Sequence, residues 1–92
     1  VTFADCKYAD LVAEGLAGQV RVHRERLGCS KRRLAKLVGI EPSYVTKIES
    51  GEKVPSVAVL VRIAFHLRIP PSRLFADAEQ FAATFGEVGW IR

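Results

Sequence analysis

The sequence predicts an all-α fold: a small domain of five helices, with an extra helical segment before it and an extended helix or tail after it. Three observations carry this expectation. Apolar residues recur at helical spacing, and the period-two alternation of half-buried strands is essentially absent. Ser, Pro and Gly stand at intervals that start and stop short helices. A chain of 92 residues, 49% apolar and 26% charged, has an ordinary globular composition and no room for a second core.

Asp5 is a candidate cap for the opening segment, with Tyr8, Leu11 and Val12 on one face. Gly15 and Gly18 follow, and each marks either a break or a bend. A helix is then expected over about Leu16–Leu27, stopped by Gly28 just past its end. Ser30 suits the N-cap of a helix over Lys31–Val38, which Gly39 ends. Pro42 fits the first turn of the next helix, Pro42–Ser50, which Gly51 ends. Pro55-Ser56 opens a helix over Val57–Leu67, with Leu60, Ile63, Ala64 and Leu67 on one face. Pro70-Pro71 stops it and opens another, about Pro71–Phe85, in which Leu74, Ala78, Phe81, Ala82 and Phe85 recur at helical spacing before Gly86. No repeat or low-complexity segment is present. The chain divides into an N-terminal helical extension (1–15), a central domain (16–75) and a C-terminal extension (76–92).

The formal charge is +4, but its distribution says more. Residues 1–15 carry −2, residues 16–53 carry +5, residues 54–75 carry +3 and residues 76–92 carry −2. A basic centre between acidic ends points to a polyanion partner, or else to a solvated basic face. The longest apolar run, Val57–Val61, is far below the ~18 residues of a membrane span. No basic region leads into an apolar stretch at the start, so no signal peptide is visible. A cytoplasmic protein without a membrane partner is expected.

Chemistry of other kinds finds little support. Cys6, His23, Cys29 and His66 lack the paired spacing of a zinc site, so no metal and no cofactor are expected. Two cysteines make no disulfide framework, although the sequence leaves a Cys6–Cys29 pairing open. No nucleophile elbow, phosphate-cradling glycine loop or paired His-Glu motif occurs, and no enzyme is expected.

Ser30–Ser50 is the informative stretch. Two short helices are joined by Gly39-Ile40-Glu41, a tight turn. Leu34, Ala35 and Val38 face inward from the first, Val45 and Ile48 from the second, and Ala35 is small enough for a close crossing. One helix then braces the other, as in a helix-turn-helix. The second helix is expected to show Ser43, Tyr44, Thr46 and Lys47 outward. Their hydroxyls, phenol and ammonium can reach base edges and phosphates.

These residues resemble the lambda-repressor-like, XRE/Cro-type helix-turn-helix domains. The likeness runs over Arg24, Gly28, Ser30, Leu34-Ala35, Gly39-Ile40, Val45, Ile48-Glu49, Gly51, Pro55-Ser56, Leu60, Ile63-Ala64, Leu67 and Leu74. It covers about Leu16–Phe75, roughly two thirds of the chain. The resemblance implies a compact domain that sets helix 42–50 in the DNA major groove as a transcriptional regulator. It implies base contacts from Pro42, Ser43, Tyr44 and Lys47, and a buried ion pair between Arg24 and Glu49. Lys31, Arg32, Arg33, Thr46 and Lys53 are the expected contacts to the DNA backbone.

The chain departs from the family pattern in places. Lys31 replaces a Gln that contacts DNA, and Lys31-Arg32-Arg33 puts three cations at the positive end of a helix dipole, where a phosphate would offset their repulsion. Glu41 stands where a capping Ser is frequent, and Pro42 can offer only shape or a thymine methyl contact. His23 and Cys29 occupy positions that are usually Leu. Arg68 stands where Gly or Asn is frequent, so strain is expected there.

Val59, Val61 and Phe65 lie off the core face of helix 57–67, and Phe81, Phe85, Trp90 and Ile91 add further large apolar groups. Either a second copy covers them or the terminal segments do. Val61, Phe65, Phe81, Phe85 and Trp90 are the candidate homodimer interface, on an operator with two half-sites. A second functional reading stays open. Leu27 and Leu37 are apolar where the family is usually polar, as a protein-interaction module of the same fold would need.

Overall fold

The computed structural model describes residues 7–85 and contains five helices: α1 (Lys7–Arg26), α2 (Lys31–Val38), α3 (Pro42–Ser50), α4 (Val57–His66) and α5 (Pro71–Phe85). Asp5, the expected opening cap, lies outside the described residues.

The opening segment and the helix expected after it are one continuous helix, which overturns a break at Gly15 or Gly18. Gly15 does not break the helix. A Cβ there would lie 3.0 Å from the Ala78 Cα and carbonyl oxygen and 3.2 Å from the Phe81 Cβ. The glycine therefore lets α1 and α5 approach closely. Gly18 faces solvent with open space around it, and the helix tolerates it. Residues 7–15 thus continue into α1 and residues 76–85 complete α5, and these two helices pack together.

The core has two parts. Val20 of α1, Leu34, Ala35 and Val38 of α2, Val45 and Ile48 of α3, Ile63 of α4 and Leu67 form the first. Leu16, Leu60, Ala64, Leu74 and Ala78 form the second, where α1, α4 and α5 meet. Val59 and Cys29 are half-buried against the first cluster, so Val59 does not belong to the surplus face of α4. His23 is 5% exposed, and its Nε2 has no hydrogen-bond partner. That atom lies 3.7 Å from Asp77 Oδ2, which also accepts from Arg73 Nε at 3.2 Å.

The helix ends follow from local chemistry. Ser30 Oγ accepts the Arg33 N–H at 3.0 Å, capping α2, and Gly39 at φ 85 returns its N–H to the Ala35 carbonyl at 2.8 Å. Glu41 precedes α3 without any side-chain cap bond, and Pro42 removes one N–H that would need a partner. Ser56 Oγ accepts the Val59 N–H at 3.2 Å to cap α4. Beyond α4, Arg68 adopts φ 63, a left-handed conformation that no other non-glycine among the described residues shares. Its N–H donates to the Phe65 carbonyl and the Ile69 N–H to the Ala64 carbonyl, each at 3.1 Å, and the turn holds Arg68 in that shape.

Candidate nucleic-acid interface

α3 is short and two-faced. At about 100° per residue, Pro42, Thr46, Ser50, Ser43 and Lys47 fall within an arc of about 140°. All five are exposed. Val45 and Ile48 are buried on the other side, 1% and 2% exposed. Tyr44 falls on the buried arc and is half-buried against the core, not displayed with its neighbours as expected. Ser50, which sequence reasoning passed over, shares the exposed arc. It lies one turn from Thr46, a spacing that would have identified it.

A two-point ion pair fixes this helix to α1. Arg24 Nε donates to Glu49 Oε2 at 2.6 Å and Nη2 to Oε1 at 3.0 Å, while Nη1 donates to the Cys29 carbonyl at 2.8 Å. The side chains are 10% and 4% exposed. The Glu49 hydrogen bond raises the Arg24 pKa above its ordinary value, so the guanidinium stays charged. One residue thereby positions α3 and closes the turn between α1 and α2.

Beside the pair lies a cavity of about 360 Å³ between α1 and α3, where Arg21, Lys31, Thr46 and Ser50 bring two cations and two hydroxyls together with the Glu25 carboxylate, to which Arg21 Nε donates at 3.4 Å. Arg21 was not among the expected residues. Its place one turn before Arg24 on α1 was the available signal. Thr46 Oγ1 donates to the Pro42 carbonyl at 3.4 Å and Ser50 Oγ to the Lys47 carbonyl at 3.0 Å. Lys53 is exposed, and its N–H donates to the Lys47 carbonyl at 3.1 Å, tying the loop to the end of α3.

Lys31, Arg32 and Arg33 are all exposed, but they do not share a face. Residues two positions apart on a helix, such as Lys31 and Arg33, diverge by about 200°. Lys31 accordingly lines the cavity beside α3, and Arg33 lines a separate groove beside Leu37 and His66.

Val61 and Phe65 are 44% and 75% exposed on α4, next to Val57 at 70%. Phe81 is half-buried where α5 packs on Gly15 of the same chain. Trp90, Ile91 and the Phe85 side chain lie outside the described residues, as does Cys6. Among the described residues no cluster of His, Cys, Asp and Glu could hold a metal ion, and no helix is long and apolar enough to cross a membrane.

A family model described as a helix-turn-helix domain matches residues 16–74. The chain is also similar to a solved structure, the clp gene regulator ClgR from Corynebacterium glutamicum, at a TM-score of 0.77 and 26% identity. That likeness covers 80% of this chain and 79% of the other. No curated protein matches the chain.

Proposed function

The chain belongs to the helix-turn-helix domain family, and we propose that it is a sequence-specific DNA-binding transcriptional regulator, without catalytic activity, acting as a homodimer. The observation that carries this reading is α3 itself. It is anchored by Val45, Ile48 and the Arg24–Glu49 pair, and bare along Pro42, Ser43, Thr46 and Lys47. A helix so held can enter a major groove without losing its seat. Lys47 donates to guanine O6 and N7, Ser43 reaches a base edge, Pro42 contributes shape, and Tyr44 contributes the rim of its ring. Lys31, Arg32, Thr46 and Lys53 meet the flanking phosphates, joined by Arg21 and Ser50 of the cavity beside α3. The similar structure is that of a gene regulator, which supports a role in transcription.

A single small module buries too little DNA surface for tight binding, so a second copy supplies affinity. The exposed Val57, Val61 and Phe65 of α4 suit a two-fold contact. Fluorescence anisotropy of a labelled random duplex, titrated at several salt concentrations, tests DNA binding. Affinity is expected to fall steeply with salt, and Lys31→Ala to shallow the slope by about one. Absence of binding at low salt overturns the proposal and leaves a protein-interaction module of the same fold.

A further inference from the structure

A groove of about 280 Å³ lies between the C-terminal ends of α1 and α4 and the outer side of α2, lined by Leu27, Cys29, Arg33, Leu37, His66 and Arg68. No residue of α3 lines it. Leu27 and Leu37 are 46% and 43% exposed. Single exposed leucines are ordinary, but two of them across one concavity form an apolar floor. The charged residues that line the groove are Arg33 and Arg68, and no carboxylate is among them. Arg68 is held at φ 63 by the turn after α4, so its position on the rim is set by backbone hydrogen bonds. The carbonyl ends of α1 and α4 also face this region with partial negative charge, so any attraction for an anion depends on the two guanidiniums.

We propose that this groove docks an acidic, leucine-bearing segment of a partner protein. Its apolar floor takes a Leu or Phe side chain, and Arg33 and Arg68 receive the flanking carboxylates, for which the planar guanidinium is the better-matched cation. A phosphate backbone would satisfy the cations but leave both leucines without a function. The site lies away from the exposed arc of α3. A partner bound here leaves that arc free, and the inference does not rest on the DNA-binding reading.

A library of random twelve-residue peptides displayed on phage, panned against the intact chain, supplies the probe. Enriched peptides are expected to set Asp or Glu beside Leu or Phe. Once synthesised, they are expected to bind Arg68→Gly and Leu37→Ser at least tenfold more weakly than the parent chain. Glycine favours the conformation Arg68 adopts, and Leu37 is exposed, so both variants keep the fold. Their affinity for duplex DNA is expected to stay within twofold of the parent. No enrichment, enriched peptides without carboxylates, or undiminished binding to both variants overturns the proposal. Displacement of the peptide by duplex DNA overturns it by making the groove a nucleic-acid surface. Self-association of the parent chain that disappears in Arg68→Gly overturns it by assigning the groove to a second copy.

Discussion

Arg24 joins three parts of the domain at once: α1, the Glu49 carboxylate of α3 and the Cys29 carbonyl. Arg24→Ala leaves a carboxylate that is 4% exposed without its cation. The expected loss is about 3–5 kcal/mol in urea unfolding, a large share of a small domain's stability. Replacing both partners with Leu is expected to cost much less, because no buried charge is left over. An unchanged unfolding midpoint in Arg24→Ala would place the pair in solvent. His23 is the opposite case, a buried imidazole whose Nε2 lacks a hydrogen bond. A buried polar atom without a hydrogen bond costs about 1–3 kcal/mol, so His23→Leu is expected to raise stability. A lower midpoint would show that the nitrogen is satisfied in solution. The ion pair was legible only through the family pattern, since Arg24 and Glu49 lie far apart in the chain. The burial of His23 was legible from its place at a position that is usually Leu, but its approach to Asp77 was not, because that depends on α5 closing over α1.

The helices separate into those that local chemistry defines and one that it does not. Ser30, Gly39, Pro42 and Gly51 bound α2 and α3 where the sequence expects them, because caps and left-handed turns act within a few residues. Gly15 was misread because its role is set by Ala78, on the other side of a packed interface. Two substitutions separate the meanings. Gly18→Ala fills open space in a helix and is expected to stabilise by roughly 0.4–1 kcal/mol. Gly15→Ala presses a methyl against the Ala78 backbone, and overpacking of about 1–3 kcal/mol is expected to outweigh the propensity gain. Thermal melts of the two are therefore expected to move in opposite directions, and a shift upward in both would return Gly15 to an ordinary helical glycine. Tyr44 was misplaced for a related reason: one step of about 100° separates the exposed arc of α3 from its buried one. Lys47 lies securely on the exposed arc. Lys47→Ala is expected to cost ~1–3 kcal/mol on a preferred duplex and to relax selection at one base pair. An equal loss on every sequence would make Lys47 a phosphate contact.

At the scale of the molecule, the surplus of apolar residues was plain in the sequence, but its distribution was not. Val59 packs on the core and Phe81 lies where α5 meets α1, which leaves Val57, Val61 and Phe65 as the exposed apolar stripe of α4. Aromatic residues at the centre of an interface contribute about 2 kcal/mol or more. Phe65→Asp, at a residue 75% exposed, is therefore expected to give a folded monomer with weakened DNA binding. Sedimentation velocity decides this, and a folded dimer would move the interface elsewhere. DNA recognition by this domain rests on α3 reading base sequence. Selection of bound duplexes from a randomised pool tests that most directly. Convergence on a motif with two related half-sites about 34 Å apart is expected, with loss of that convergence at one position of each half-site in Lys47→Ala. A bound pool that remains random in sequence would contradict it.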